Sequence, residues 1–180
     1  NLERRHFNRE EKIDKISNKF LKALDLSSPG IVIVGPWRGR PSQLKSFRNA
    51  LKKWYELTGW PIIADPLSGI TNKQKGLLIY WDLLLSVGLL SFPEGIQILR
   101  LGPLPSSREL YLWLEKYKTQ LLVTEGDDRS LDPIGGALQF SYGFSYWMKT
   151  FLKSFHPDSL VKSNPKIVLL KNKLNKQDII

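Results

Sequence analysis

The chain has 180 residues but no cysteine, only two histidines and a single methionine. Without cysteine it cannot form disulfides, cysteine-ligated zinc sites, iron–sulfur clusters or a thiol nucleophile. His6 and His156 are its only histidines, which also excludes a histidine cluster. A cysteine-free chain fits a reducing compartment, and we therefore expect a cytoplasmic protein.

Long hydrophobic runs are absent as well. A bilayer-spanning helix needs roughly 20 apolar residues, and no stretch of the chain approaches that length. The nearest one, residues 76–90, is interrupted by Asp82 and predicts a buried helix. The first residues lack the apolar run of a signal peptide, and the only methionine is Met148. We expect a folded, soluble piece excised from a longer protein.

The positive charge is unevenly distributed. The 27 Lys and Arg against 17 Asp and Glu give a net charge of +10, and residues 149–180 supply seven lysines against two aspartates. Proline and asparagine interrupt these lysines, a composition typical of a solvated tail. We therefore predict a basic C-terminal linker over residues 156–180, leading towards a missing domain. A basic nucleic-acid-associated domain remains an alternative, although phosphate binding needs a clustered basic face.

Strand and helix patterns alternate along the chain. An amphipathic helix is predicted over residues 8–24, with Asn8 as N-cap and Glu11 completing a capping box. Further strands are predicted over residues 31–34, 60–64, 95–102, 120–124 and around 137–140, and further helices over residues 42–58, 76–87, 106–116 and 145–155, with Ser42 and Ser107 as N-caps. This order predicts an α/β, Rossmann-like three-layer domain, a mainly parallel sheet with helices on both faces.

The glycine-rich turn over residues 35–39 lies between a strand and a helix, where backbone N–H groups can bind phosphate. The dinucleotide pattern G-x-G-x-x-G is incomplete, because only Gly35 and Gly39 are present and bulky Trp37 lies between them. The P-loop and nucleophile-elbow patterns are absent. A stand-alone Rossmann-like nucleotide- or cofactor-binding module therefore remains an alternative with little support.

Three carboxylates, Asp127, Asp128 and Asp132, lie close together in sequence after the fourth strand. Adjacent carboxylates in a strand-end loop are usually solvated or capping groups, and no histidine is near to complete a hydrolytic site. We therefore predict no catalytic and no metal-binding residue in this chain.

Several blocks of sequence resemble a known family when taken in order. They are G-I-V-I-V-G over residues 30–35, G-W-P-I-I-A-D-P-L-S-G over 59–69, L-R-L-G-P-L-P-S-S-R over 99–108 and L-D-P over 131–133. Together they resemble the central domain of 2-succinyl-5-enolpyruvyl-6-hydroxy-3-cyclohexene-1-carboxylate synthases, most closely the cyanobacterial branch. The block over residues 59–69 is the most specific of them. The resemblance implies that residues 1–155 are this central domain, including its entry helix.

The resemblance also implies a three-domain parent enzyme of menaquinone and phylloquinone biosynthesis. Such enzymes decarboxylate 2-oxoglutarate and add the succinyl unit to isochorismate, using thiamine diphosphate and Mg²⁺ held by the N- and C-terminal domains. The diphosphate motif G-D-G followed by N-N is missing here, since the chain has Gly126-Asp127-Asp128. We therefore expect no cofactor in this fragment, no activity from it alone, and a homo-oligomeric parent, dimer or tetramer.

Three residues are expected to contact substrate if the resemblance holds. Arg108 takes the position of a basic residue in the family motif L-G-x-x-P-x-S, at a helix N-terminus whose dipole favours carboxylates. The family more often has lysine there, and Glu109 stands where some members have a second basic residue. Asp65 and Ser68, after the second strand, are placed for the inter-domain cleft. A structural turn is the equally supported alternative for these two.

Overall fold

The computed structural model describes residues 18–90, 92–125 and 132–154. The strands in these ranges are β1 (Gly30–Val34), β2 (Ile62–Ala64), β3 (Gln97–Leu101), β4 (Leu121–Val123) and β5 (Leu138–Phe140). The helices are α1 (Asn18–Leu21), α2 (Leu44–Thr58), α3 (Trp81–Ser86), α4 (Arg108–Lys116) and α5 (Phe144–Ser154). Single 3-10 turns cover Pro41–Gln43 and Pro66–Ser68. Within the described ranges, no helix is both long and apolar enough to span a bilayer.

The five strands form one sheet in the order β2-β1-β3-β4-β5, and every neighbouring pair is parallel. Val32 in the middle of β1 aligns with Ile62 on one side and Leu99 on the other. Strand order reverses between β1 and β3, which makes the carboxyl ends of these two strands the topological switch point.

The alternation of side chains along β1 divides the core into two halves. Ile31 and Ile33 face one side of the sheet, where they pack with α3 and α4. Val32 and Val34 face the other side and pack with α2 and α5. All four side chains are at most 1% exposed, as expected for a strand covered on both faces. The predicted three-layer α/β fold is therefore confirmed.

Tryptophan dominates the core on the α2 and α5 side. Trp54 of α2 lies against Trp60, Trp147 and Phe151 with ring centroids 5.4 to 5.7 Å apart and edge-to-face geometry. Gly30 leaves room for Trp60, because a Cβ there would come within 2.4 Å of its indole ring. These tryptophans are thus used for core packing.

The entry helix differs from its prediction at the C-terminal end. Residues 8–17, including Asn8 and Glu11, lie outside the described part, and α1 ends at Leu21 instead of residue 24. The Asp25 carboxylate accepts hydrogen bonds from the Ser27 N–H and the Ser28 hydroxyl, 2.9 and 2.7 Å long. This local turn competes with continuation of the helix.

Ser42 does not cap α2, contrary to the prediction. It lies inside the 3-10 turn Pro41–Gln43, and α2 begins only at Leu44. The Arg40 N–H donates instead to the Gln43 side-chain oxygen, over 3.0 Å. At the other end, Gly59 adopts the left-handed conformation (φ 63°) that the predicted helix stop requires.

The prediction of a helix over residues 76–87 is wrong for its first five residues. Gly76 has a φ of 82° and packs against the Tyr55 ring, so it cannot begin a helix. The next residues run beside β2: the Ile62 N–H donates to the Gly76 carbonyl, and the Leu78 N–H donates to the Ile62 carbonyl, both over 2.8 Å. Helix α3 therefore begins only at Trp81. The other predicted elements are confirmed within two residues over the described ranges.

Candidate functional site

The loop after β2 is organised around Asp65. This side chain is only 6% exposed, and its two oxygens accept hydrogen bonds from the Leu67 N–H (2.8 Å) and the Ser106 N–H (3.3 Å). The first bond closes the 3-10 turn that follows, and the second ties the turn to the segment that leads into α4. Asp65 therefore joins the loops that follow β2 and β3.

Ser68 and Gly69 complete the same turn. Ser68 is 1% exposed, and its hydroxyl accepts a hydrogen bond from the Ile70 N–H at 3.2 Å. Gly69 adopts a φ of 73°. Its carbonyl oxygen accepts two hydrogen bonds from the Arg48 guanidinium, one from Nε at 2.7 Å and one from Nη2. An arginine from α2 thus holds the specific sequence block 59–69 in place from the neighbouring layer.

Arg108 is the first residue of α4, and its side chain is exposed. Ser107 caps the helix as predicted, because its hydroxyl oxygen accepts the Leu110 N–H at 3.1 Å. The same hydroxyl donates to the Asp82 carboxylate at 2.5 Å, which links the starts of α3 and α4. Among the described residues Arg108 has no ion-pair partner. Its guanidinium is available at the carboxyl edge of the sheet.

A groove of about 380 Å³ lies between the β2 loop, the start of α3 and the segment before α4. Its polar lining includes Asp65, Asp82, Asn72 and Ser106, and Trp81 contributes to its apolar wall. The volume falls within the range of small-molecule sites. Of the three predicted substrate contacts, the structure brings Asp65 to this groove, whereas Ser68 and Arg108 do not line it.

The switch point between β1 and β3 is closed. The crevice there has a volume of only about 10 Å³, room for a single water molecule. A Cβ on Gly35 would come within 1.7 Å of the Pro103 carbonyl oxygen, and Gly39 packs against the Trp37 ring. The glycines of this turn serve close packing, so the geometry gives no support to the nucleotide-binding alternative.

The sequence missed a buried ion pair beneath this edge. Arg100, in the middle of β3, has a fully buried side chain whose Nη1 lies 2.6 Å from Oδ1 of Asp132. Burial lowers the pKa of the Arg100 guanidinium, and the Asp132 carboxylate opposes that shift. Asp132 caps the backbone as expected, accepting the Ala137 N–H at 3.0 Å, but its side chain is only 7% exposed and is not solvated. Asp127 and Asp128 lie outside the described residues.

The signal that could have identified Arg100 is its position within the apolar run I-L-R-L of β3. A charge in a strand buried on both faces must have a buried partner, because desolvating an unpaired charge is prohibitive. The sequence alone does not say which acidic residue supplies that partner, since Asp132 is reached only through the loop after β4.

Glu125 follows β4 and caps the start of α5. One carboxylate oxygen accepts the Phe144 N–H at 2.9 Å, next to Gly143, whose φ is 88°. Burial raises the pKa of Glu125 above its ordinary value of 4.5, and the hydrogen bond from Phe144 acts in the opposite direction. Glu125 is half-buried and is the second ionisable group that sequence reasoning missed.

Glu125 should make the fold less stable as the pH rises. Above pH 4.5 the unfolded chain releases this proton while the folded chain still retains it, so the free energy of unfolding falls until the raised pKa is passed. Glu125→Gln keeps an acceptor for the Phe144 N–H and removes the titration. Urea unfolding between pH 4 and 8 should show the variant gaining stability relative to the parent chain as the pH rises.

Asp25 provides a control of opposite sign. The hydrogen bonds from Ser27 and Ser28 lower the pKa of Asp25 below its ordinary value of 3.8. Its contribution to stability is therefore present above that pH and lost as the pH falls. Asp25→Asn should lose stability relative to the parent chain as the pH rises towards and through 3.8, so this control is measured below the pH range used for Glu125→Gln. A pH-independent difference for Glu125→Gln would contradict the assigned titration.

The lining of the groove does not fit a diphosphate. A diphosphate needs cations or converging N–H donors, whereas the groove presents the Asp65 and Asp82 carboxylates and has no Lys or Arg in its lining. In the described part of the chain no three His, Cys, Asp or Glu side chains cluster closely enough to hold a metal ion. The groove is therefore suited to binding a neutral or apolar group.

The five-stranded parallel sheet, with its strand order 2-1-3-4-5, defines a doubly wound α/β domain with a closed switch point. No family model matches the chain. Its sequence is 62% identical over 138 residues to a 2-succinyl-5-enolpyruvyl-6-hydroxy-3-cyclohexene-1-carboxylate synthase of Prochlorococcus marinus strain NATL2A, covering 76% of this chain and 23% of that protein. Over about three quarters of its length the chain is therefore similar to a segment of a larger synthase of this description.

Two further relatives carry the same description. A synthase of Prochlorococcus marinus strain SARG is 45% identical over 170 residues, which cover 92% of this chain and 29% of that protein. A synthase of Synechococcus sp. strain CC9902 is 46% identical over 132 residues, covering 73% of this chain and 23% of the relative. The chain thus spans less than a third of the length of these relatives. The predicted resemblance to the cyanobacterial branch is confirmed.

Proposed function

We propose that this chain is the central domain of a thiamine-diphosphate-dependent synthase in menaquinone or phylloquinone biosynthesis. The enzyme decarboxylates 2-oxoglutarate and adds the succinyl unit to isochorismate. The observation that carries the proposal is the 62% identity over 138 residues to a synthase of that description. Thiamine diphosphate and Mg²⁺ belong to the N- and C-terminal domains of a cytoplasmic homo-oligomer, and residues 1–180 alone are inactive.

Within this enzyme the domain contributes positioning and one cation. Both substrates are carboxylates, and a guanidinium at a helix N-terminus can hold a carboxylate through two parallel hydrogen bonds. Arg108 has that location and is exposed. Asp65 and Ser68 act on the same edge through the backbone: they set the loop that faces the cleft to the other domains.

Replacing Arg108 with alanine in the full-length synthase should raise the KM for one of the two carboxylate substrates roughly 10- to 100-fold, corresponding to the about 1.5–3 kcal/mol of a hydrogen bond to a charged group. The kcat should change far less, because the contact is present in the ground state as well. Arg108→Lys should recover part of the affinity. Steady-state kinetics with each substrate varied in turn make the measurement.

Lys116→Ala provides the matched control, since Lys116 is an exposed cation at the opposite end of the same helix. It should leave both KM values unchanged. Complementation of a strain lacking the synthase by the full-length gene tests the assignment itself. Failure to complement, together with no thiamine-diphosphate-dependent turnover, would contradict the proposed activity; unchanged kinetics for Arg108→Ala would contradict only the role of this residue.

A further inference from the structure

Exposed apolar side chains are concentrated around α3. Half of the large hydrophobic residues that are exposed in the described part of the chain lie within residues 79–89. We call this surface the α3 apolar face; it comprises Ile79, Tyr80, Leu83, Val87 and Leu89, which are 48 to 61% exposed. Val87 is the residue after the last residue of α3, and its N–H donates to the Leu83 carbonyl at 3.1 Å, so Leu83 and Val87 lie on the same side of the helix end. A concentration of exposed apolar side chains in one short segment is typical of an interaction surface.

The helix on the opposite side of the sheet shows what a solvent-facing helix of this chain looks like. The exposed side of α2 carries Lys45, Lys52, Lys53 and Glu56. Helix α3 has a single charge, Asp82, and that carboxylate accepts the Ser107 hydroxyl. The outer surface of α3 therefore lacks the charges that normally face water on an amphipathic helix.

The α3 apolar face continues into the 380 Å³ groove. Ile79 belongs to both, and the rim of the groove also includes Pro66 next to Leu67, whose side chain is 74% exposed. A partner seated on the apolar face could insert a side chain into the groove. Such a partner would then cover the loop set by Asp65 and lie close to the start of α4.

We propose that the α3 apolar face, with its groove, is the docking surface for another domain of the same synthase polypeptide. This inference rests on the proposed function. The relatives are more than three times as long as the segment that this chain matches, so most of each polypeptide lies outside it. A tethered domain is present at high effective concentration. A second copy of the chain fits less well, because residues 1–180 carry a net charge of +10 in each copy.

The test uses the full-length synthase with a cysteine introduced by Leu83→Cys. Residues 1–180 contain no native cysteine, so the labelled position is unambiguous within them. Lys52→Cys is the matched control, because the Lys52 side chain on α2 is 63% exposed and Leu83 is 61% exposed. The rate of thiol labelling at each position is measured by peptide mass spectrometry. We expect labelling at position 83 to be at least tenfold slower than at position 52.

A photo-crosslinking amino acid at position 83 then identifies the covering surface. Crosslinks within one polypeptide, to peptides outside residues 1–180, support the proposal. Crosslinks to residues 1–180 of a second copy would overturn it, as would equal labelling rates at positions 83 and 52. Neither readout needs turnover: protection at position 83 in an inactive synthase supports the docking surface while contradicting the proposed activity.

Discussion

Replacing Asp132 with asparagine should lower the free energy of unfolding by about 3–5 kcal/mol, because the Arg100 charge then lacks its buried counter-charge. Asparagine has nearly the same volume but only one side-chain oxygen, so it cannot accept from both Arg100 Nη1 and the Ala137 N–H. The loss therefore combines the missing charge with one missing hydrogen bond. Urea unfolding followed by tryptophan fluorescence measures the change.

Two further variants test whether the loss comes from the buried charge of Arg100. The double variant Arg100→Met, Asp132→Asn should be more stable than Asp132→Asn, since no unpaired charge remains in the core. Glu56→Gln breaks the exposed pair between Lys52 and Glu56, 3.9 Å apart, and should cost less than about 0.5 kcal/mol. If Asp132→Asn behaves like Glu56→Gln, the buried pair does not stabilise the fold as argued.

Gly35→Ala should destabilise the domain by about 3 kcal/mol or more, at the upper end of the cost of overpacking. The added methyl would lie within 1.7 Å of the Pro103 carbonyl oxygen, so the loops after β1 and β3 must separate. The Pro103 carbonyl belongs to the backbone and cannot move aside by a rotamer change, as the end of a flexible side chain could. Thermal unfolding of the variant should show a correspondingly lower Tm.

Gly95→Ala separates this steric effect from backbone strain. Gly95 has a φ of 73° but no atom within 4 Å of the position a Cβ would take. Its replacement should cost only the about 1–2 kcal/mol of a left-handed conformation. Equal costs at the two positions would mean that the loops after β1 and β3 move apart freely, contrary to the close contact at the switch point.

The sequence predicts the layers of this fold well because each signal is local. Helix α4 has an apolar stripe and a serine cap, and β1 is a short β-branched run flanked by glycines. The sequence does not predict a segment correctly when its structure depends on which other segment it contacts. Residues 76–80 are as apolar as the residues of a buried helix, yet their backbone pairs with β2. Only the positive φ of Gly76 distinguishes this extended segment from the start of a helix.

The candidate site shows the same division. Asp65, Ser68 and Arg108 could be located at the ends of strands and the start of a helix from sequence order alone. The groove could not be predicted, because its walls come from three segments that meet only after the sheet has formed. The ion pair of Arg100 and Asp132 could not be predicted either, because tertiary packing and not sequence spacing brings the two residues together.

The parallel sheet imposes an order on folding during synthesis. Strand β1 lies inside the sheet, and the partner of Gly30 on the β3 side is Gln97, so β1 cannot complete its pairing until β3 has been made. Trp54 completes its packing later still, because its contacts Trp147 and Phe151 belong to α5, near the end of the described chain. Folding therefore depends on contacts distant in sequence, which makes it slow and leaves apolar surface open while the ribosome is still translating.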